Sequence, residues 1–184
     1  RPTVGFDNHR AGRIVAEHLL GLGHRRIGMI AGIVAGNDRA SARLAGVREA
    51  LAEAGVDLPD ASLVQRPYSI EAGAQGFVEL MAVRPAITAV ICGNDVLALG
   101  AIREARAMEL DIPGVVSITG FDDMPMARIV TPELTTVHFP MAEVGYNAGQ
   151  LLLGMLGEEV GKVERLLPIA LVKRRSTGPA PGER

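Results

Sequence analysis

The chain has 184 residues, 48% of them hydrophobic, and a formal net charge of −2 at pH 7. This length and composition predict one large domain or two small ones with a substantial core. The near-neutral charge excludes a chain-wide attraction to nucleic acid or to an anionic membrane, and no apolar run reaches membrane-spanning length. The single cysteine, Cys92, excludes a disulfide within the chain.

Predicted strands and helices alternate along the whole chain. Residues 3–6 form the first strand candidate and have no signal-peptide character; because a domain rarely opens inside its sheet, we expect further residues upstream. Apolar periodicity, and helix ends such as Gly23 and Gly55, predict the other elements. The predicted strands span residues 26–31, 63–65, 87–92, 115–120, 134–139 and 166–172, and the predicted helices span residues 11–22, 41–54, 70–82, 96 onward and 141–156. This order predicts a doubly wound, mainly parallel α/β sheet.

The clearest strand–turn–helix unit lies at residues 87–102. Its apolar run ends at Cys92, Gly93 breaks the run, and Asn94 and Asp95 stand where the following helix takes its N-cap. Ligands of open α/β sheets bind at the carboxyl ends of such strands. The side chains of Asn94 and Asp95 are therefore caps, ligand contacts or both, and capping is the more frequent role for such residues.

Polar residues follow each of the first five predicted strands. In a parallel sheet these carboxyl ends share one edge, where carboxylate, amide, guanidinium and aromatic groups together suit a polyhydroxylated ligand. Each residue also has a simpler interpretation, such as a core tyrosine, a solvated arginine or the start of a short helix. The residues are Asp7, Asn8, Arg39, Arg43, Tyr68, Asn94, Asp95, Asp122 and Asp123. Their shared position favours a ligand-binding edge.

The chain lacks the motifs of metal-dependent, nucleophilic and phosphate-binding enzymes. Its four histidines are scattered, with no His-x-x-x-His or Cys-x-x-Cys spacing, and no serine stands in a Gly-x-Ser-x-Gly elbow. The glycine-rich loop at residues 32–38 lacks the Gly-Lys-Ser/Thr ending of a P-loop. We therefore expect a binding protein without a metal or cofactor rather than an enzyme.

Seven motifs spread from residue 4 to about residue 178 carry a family resemblance. They include Val-Gly-Phe-Asp-Asn at 4–8, Ser-Ala-Arg-Leu-Ala-Gly at 41–46, Cys-Gly-Asn-Asp-Val-Leu-Ala-Leu-Gly-Ala at 92–101, Ile-Thr-Gly-Phe-Asp-Asp at 118–123 and Leu-Val-Lys-Arg-Arg-Ser-Thr at 171–177. In this order and spacing they resemble the lactose-repressor/galactose-repressor family. Its members are bacterial transcription regulators with an N-terminal helix-turn-helix headpiece and a periplasmic-binding-protein-like effector-binding core of two subdomains around a cleft.

The resemblance implies that the chain is the C-terminal part of such a core, without the DNA-binding headpiece. About residues 8–138 and 163–176 would form the C-terminal subdomain, and about residues 139–162 would belong to the otherwise missing N-terminal subdomain. The implied protein is a cytoplasmic homodimer that binds a small, sugar-like effector. It would contact operator DNA only through the absent headpiece and would have no membrane partner.

The matching positions also imply roles for individual residues. Arg43, Asn94 and Asp122 are implied effector contacts, Tyr68 stands at the position of a stacking aromatic, and Asp95 is an implied structural cap beside them.

One departure from the family concerns the segment after the Thr-Thr-Val strand. His138-Phe139-Pro140 stands where many members carry a polar contact residue, and Arg39 is expected to compensate, which favours an effector with an anionic group or many hydroxyls. The helix after Asn94 is apolar nearly all round, so we expect it to be buried on both sides, with a second copy of the chain covering the side away from the sheet. The resemblance places Leu99 and the segment from Met126 to Val130 at the family's dimer contact, so the expected dimer interface contains Leu97, Leu99, Met126 and Val130.

The apolar stripe of the predicted helix at 141–156 would face the missing subdomain. We therefore expect this helix to dock on another copy of the chain or to be poorly ordered, whereas burial by its own sheet would contradict the division at residue 139. Two alternative functions remain at this point. One is an extracytoplasmic sugar-binding protein of the same fold, and the other is an α/β enzyme acting on a phosphorylated metabolite.

Overall fold

The structure, a computed structural model, describes residues 2–156 and 163–182. Its strands are β1 (Thr3–Gly5), β2 (Ile27–Gly32), β3 (Leu63–Arg66), β4 (Ala89–Cys92), β5 (Ser117–Asp122), β6 (Thr135–His138), β7 (Glu164–Leu166) and β8 (Ala170–Val172). Its helices are α1 (Asn8–Gly21), α2 (Asp38–Glu53), α3 (Ile70–Met81), α4 (Asp95–Ala107) and α5 (Met141–Met155), and short 3₁₀ turns lie at Asp60–Ser62 and Pro125–Arg128. No helix in these described ranges is long and apolar enough to cross a bilayer.

Six strands form one large sheet in the order β3-β2-β4-β5-β6-β8. Neighbouring strands are parallel except β6 and β8, which are antiparallel. Successive strand residues point to opposite faces, so Met29 and Ile91 pack with α1 and α2, whereas Ile30 and Val90 pack with α3 and α4. The predicted doubly wound, mainly parallel α/β sheet is confirmed.

Side-chain caps begin four helices at the carboxyl edge of the large sheet. In each case the cap oxygen accepts a hydrogen bond of 2.9–3.1 Å from the backbone amide three residues later. The caps are Asp7, Asn37, Ser69 and Asn94. Helices α1 and α2 therefore begin about three residues before their predicted starts, because a polar first turn does not show in apolar periodicity.

Helix α4 is covered on two sides by its own chain. A Cβ at Gly73 of α3 would overlap the Leu97 carbonyl, and a Cβ at Gly100 of α4 would overlap the Ile70 carbonyl, so the two helix backbones lie in direct contact. Leu97 is 0% exposed and packs in the core on this face of the sheet. The prediction that Leu97 belongs to a dimer interface is therefore wrong.

The other three residues of the expected interface are accessible to different degrees. Leu99 and Val130 are half-buried, Met126 is exposed, and the neighbouring Ile129 is 70% exposed. These side chains leave apolar surface accessible on α4 and in the 3₁₀ turn after β5. Its role as a dimer contact stays a prediction.

Strands β1 and β7 form a separate two-stranded parallel sheet, and α5 lies against β1. We call these three elements the small lobe. The predicted strand at 166–172 is wrong as a single element, because the segment around Pro168 separates β7 from β8, and only β8 joins the large sheet. The predicted subdomain boundary at residue 163 thus groups β7 with the large sheet. In the structure, β7 pairs with β1 instead.

None of the residues in α5 is buried. Tyr146, Leu152 and Leu153 are each more than 60% exposed, and the large sheet does not cover the helix. Burial of α5 by its own sheet would have contradicted the subdomain division at residue 139, and α5 is not buried in this way. What covers α5, a second copy or further chain, stays a prediction.

The segment of residues 174–180, which we call the C-terminal strap, runs across the amino edge of the large sheet. The Ser176 hydroxyl accepts a hydrogen bond from the Thr135 amide at 2.8 Å and donates one to the Ile118 carbonyl at 2.6 Å. The strap thereby joins the beginnings of β5 and β6.

His24 lies under the strap and is fully buried. Its Nδ1 is 3.0 Å from the Thr88 hydroxyl, and its Nε2 is 3.1 Å from both the Ser117 hydroxyl and the Gly178 carbonyl. Burial lowers the pKa of His24, although the Gly178 carbonyl favours the charged form. This histidine is a structural core residue.

Candidate ligand-binding site

A pocket of about 490 Å³ lies at the carboxyl edge of the large sheet, and we call it the carboxyl-edge pocket. Its volume is within the range of small-molecule sites. It is lined by Gly36, Asn37, Asp38, Arg39, Arg43, Tyr68, Asn94 and Asp122. Five of the nine polar residues predicted at this edge therefore line one pocket, whereas Asp7, Asn8, Asp95 and Asp123 do not.

Arg43 is held in a fixed position at the base of this pocket. It is 7% exposed, its Nε donates to Asn8 Oδ1 at 2.9 Å, and its Nη1 donates to the Gly93 carbonyl at 2.7 Å. Its Nη2 lies 3.6 Å from Asp122 Oδ1. Burial lowers the pKa of Arg43, while the Asp122 carboxylate acts in the opposite direction. The solvated-arginine interpretation of Arg43 is thus excluded.

Aromatic rings hold the other side of the Arg43 guanidinium. Its Cζ lies 5.0 Å from the ring centre of Phe121 and 4.9 Å from that of Phe139. Phe139 also stacks on Phe6, with ring centres 4.0 Å apart and planes inclined by 11°. Because Phe6 follows β1 and Phe139 follows β6, this stack joins two of the three segments that connect the small lobe to the rest of the fold; the third lies between β7 and β8.

Asp122 ends β5 in an unusual backbone conformation. Its φ is 108°, and that of Asp123 is 52°. Residues other than glycine rarely adopt positive φ values. Burial raises the pKa of Asp122 even though Arg43 and Arg39 favour its charged form. The carboxylate is about one-third exposed and can accept hydrogen bonds from a ligand.

Asn94 and Asp95 have different roles at the start of α4. Asn94 Oδ1 accepts from the Leu97 amide at 3.0 Å, so Asn94 caps the helix while also lining the pocket. Asp95 is fully buried and accepts from the Met124 amide at 2.7 Å and the Thr136 hydroxyl at 2.6 Å. Burial raises the pKa of Asp95 to about 6. The cap is therefore Asn94, whereas the resemblance implied Asp95.

Tyr68 and Arg39 line the pocket with more exposed side chains. Tyr68 is 43% exposed, which excludes the core interpretation, and a Cβ on Gly32 would overlap its hydroxyl. Only glycine at position 32 leaves the ring in this place. Arg39 is exposed and forms no ion pair within residues 2–156 and 163–182, so its charge is available to a ligand.

Asp123 belongs to an ion-pair cluster and does not line the pocket. Its carboxylate lies 2.5 Å from Arg174 Nη2, 3.1 Å from His138 Nδ1 and 3.3 Å from Arg128 Nη2. Burial of Asp123 raises its pKa, but the hydrogen bonds from Arg174, His138 and Arg128 outweigh this effect and lower the pKa overall. The described residues contain no group of three or more His, Cys, Asp or Glu side chains that could hold a metal ion.

Sequence reasoning missed three pocket residues, Gly36, Asn37 and Asp38. They lie in the loop after β2 and at the start of α2. The loop lies at a strand end, which is the same signal that predicts Tyr68 and Asn94, but from this loop and the turn after it only Arg39 and Arg43 were predicted as contacts.

Known proteins similar to this chain include transcription regulators. A family model described as a periplasmic binding protein-like domain matches residues 16–177. The HTH-type transcriptional repressor CytR of Escherichia coli (strain K12) is 36% identical over 181 residues, which cover 98% of this chain and 53% of that protein.

Solved structures show the same likeness. A protein described as a LacI transcriptional regulator from Bacillus cereus subsp. cytotoxis superposes with a TM-score of 0.89 at 32% identity, covering 95% of this chain and 62% of that one. A LacI family transcriptional regulator from Enterococcus faecium, solved with bound ribose, superposes with a TM-score of 0.87 at 31% identity, covering 97% and 66%. The chain thus spans about half the length of the curated relatives it matches.

Proposed function

Because this chain belongs to the lactose-repressor/galactose-repressor family, we propose that it is the ligand-sensing part of a bacterial transcription regulator. Its carboxyl-edge pocket would bind a sugar or a related small metabolite. The observation that carries this proposal is the convergence of Arg43, Asn94, Asp122 and Tyr68 on one pocket from four different segments of the chain.

The chemistry of the pocket suits a ligand rich in hydroxyls. The Asp122 carboxylate accepts hydrogen bonds from hydroxyls, while the amide of Asn94 and the guanidinium of Arg43 donate them. Tyr68 offers a ring face to the C–H groups of a sugar. The ribose bound to the Enterococcus faecium regulator supports the same ligand class.

The surrounding architecture suggests how ligand binding is transmitted. We assign the small lobe to a second subdomain, whose remaining part would close over the pocket and cover α5. The exposed patch at Leu99, Met126 and Val130 would pair with a second copy of the chain. The regulator would be cytoplasmic and would contact operator DNA through a headpiece outside these residues.

A panel of pentoses, hexoses and disaccharides tests the proposed ligand class. A bound ligand should raise the melting temperature of the chain, and at concentrations above its Kd the rise should grow with the logarithm of ligand concentration, by mass action. It should also shift the backbone amide signals of Asn94 and Asp122 in nuclear magnetic resonance spectra at millimolar concentration. The control variant Asp60→Asn changes an exposed carboxylate away from the pocket and should bind as the parent does. If sugars at millimolar concentration shift none of the pocket amides, the proposed ligand class is wrong.

A further inference from the structure

A second pocket, of about 400 Å³, lies at the opposite edge of the large sheet, where β2, β3 and β4 begin. We call it the amino-edge pocket. Apolar residues line most of it, and charged side chains lie among them. The lining residues are Arg25, Arg26, Ile27, Asp57, Pro59, Ala61, Ser62, Val83, Arg84, Pro85 and Ile87. Nothing in the proposed sensing function uses this pocket.

The three arginines of this pocket are each tied to backbone carbonyls. Arg26 donates through Nε to the Ala86 carbonyl at 2.8 Å. Arg25 donates through Nη1 to the carbonyls of Leu20 and His24 at 3.1 and 2.9 Å. Such bonds hold the guanidinium groups near the pocket without neutralising their charge.

Arg84 follows the same pattern, and donates through Nη1 to the carbonyls of Met81 and Val83 at 3.0 and 2.9 Å. Among the described residues, Arg25 and Arg84 therefore each keep an Nε–Nη2 edge without a hydrogen-bond partner, and Arg26 keeps its two terminal nitrogens. Such paired donors match the two oxygens of a carboxylate or phosphate.

The positive charge at this pocket exceeds the negative charge. None of the three arginines forms an ion pair within residues 2–156 and 163–182, and Asp57 is the single carboxylate among the eleven lining residues. The pocket therefore combines three positive charges with an apolar floor that includes the buried Ile27 and Ile87. An uncharged apolar molecule would leave the arginine donors unused, and a small inorganic anion would leave the floor exposed to water.

We propose that the amino-edge pocket binds a small organic anion whose carboxylate or phosphate pairs with Arg25, Arg26 and Arg84. Its apolar body, about the size of a phenyl ring or a short acyl chain, would lie on Ile27, Ile87 and Val83. This site is separate from the carboxyl-edge pocket, so it can be occupied at the same time as a sugar.

Four probe molecules test the two halves of this proposal by titration calorimetry at low ionic strength. 4-Phenylbutyrate and phenyl phosphate carry both an anionic and an apolar group, 4-phenyl-1-butanol lacks the charge, and inorganic phosphate lacks the apolar body. We expect at least one of the two aryl anions to bind at least about tenfold more tightly than the alcohol and inorganic phosphate, since a charge-assisted hydrogen bond contributes on this scale. Which of the two binds more tightly distinguishes a carboxylate site from a phosphate site.

Variants locate the binding. Arg26→Gln and Arg84→Gln should each weaken aryl-anion binding about five- to tenfold or more, whereas Arg103→Gln, which removes an exposed charge on α4, should leave it unchanged. Asp57→Asn should strengthen binding, because it removes the one negative charge of the pocket, and this exposed position does not endanger folding.

Three results would overturn the proposal. Equal binding of the alcohol and the butyrate would show that the arginines play no part. Equal binding of inorganic phosphate and both aryl anions would show that the apolar floor plays no part and that the arginines attract any anion. An equal loss in Arg103→Gln and Arg26→Gln would show that the anions respond to overall charge.

Discussion

Replacement of the Asp122 carboxylate should separate ligand binding from stability. The side chain ends β5 at a φ of 108°, so alanine at this position would add backbone strain of its own. In Asp122→Asn the side chain keeps its shape, and asparagine tolerates a positive φ as aspartate does. Asp122→Gly removes the side chain at a position whose φ suits glycine. These two variants therefore change the carboxylate while leaving the backbone in place.

The expected loss of affinity follows from the hydrogen bonds that the carboxylate can accept. A hydrogen bond to a charged group contributes about 1.5–3 kcal/mol, so Asp122→Gly should weaken sugar binding roughly ten- to 150-fold. The asparagine oxygen still accepts a neutral bond, which is about half as strong, so Asp122→Asn should weaken binding about three- to twelvefold.

The expected effect on stability has the opposite sign. Burial raises the pKa of Asp122 despite the nearby Arg43, so the folded chain holds the ionised carboxylate less favourably than the unfolded chain does. At pH 7 the charge therefore costs stability, and Asp122→Asn should leave the free energy of unfolding unchanged or higher. Titration calorimetry with the best-binding sugar and urea unfolding measure the two quantities on the same samples. Sugar binding by Asp122→Asn as tight as that of the parent, or a loss of stability together with affinity, would refute this role of the carboxylate.

Four further predictions concern other parts of the molecule. Gly32→Ala should displace the exposed Tyr68 ring and weaken sugar binding at least threefold, while the melting temperature changes little; an unchanged affinity would contradict the stacking role. The imidazole signals of His24 in nuclear magnetic resonance spectra should titrate below about pH 6.5, because burial lowers its pKa; His24 therefore reduces stability on acidification, by at most about 1.4 kcal/mol per pH unit, while Asp95, whose pKa is raised to about 6, acts in the opposite direction. Leu99→Arg should convert a dimer into a monomer in sedimentation velocity, and a variant that still sediments as a dimer would refute the proposed interface. Amides of α5 should exchange with solvent far faster than those of β4 in the dilute chain, and equal protection would show that the helix is covered.

The carboxyl-edge pocket was predictable because position along a parallel sheet is encoded locally. Each strand end is marked by a break in an apolar run, and the polar residues Tyr68, Asn94 and Asp122 follow such breaks. The parallel topology then brings them together without further information. The details of their bonding, such as the choice of Asn94 rather than Asp95 as the cap, depend on backbone angles that residue type does not determine.

The errors concern contacts between segments that are far apart in the chain. Leu97 was expected at an interface because only the sheet was considered as a partner of α4, whereas Gly73 and Gly100 allow α3 to cover its second side. Similarly, the pairing of β1 with β7 joins residues about 160 positions apart, and no local pattern indicates it. Apolar periodicity shows that a face is buried but not which element buries it.

The strap across the amino edge constrains the order in which the chain can fold during synthesis. Ser176 forms hydrogen bonds with Ile118 and Thr135, which precede it by 58 and 41 residues. The amino ends of β5 and β6 therefore lack these two bonds until Ser176 has left the ribosome. The residues that line the carboxyl-edge pocket all lie between positions 36 and 122 and emerge well before it. A nascent chain can therefore assemble the pocket while β5 and β6 still lack their last shared partner, and a ligand present at that stage would stabilise an intermediate as well as the finished fold.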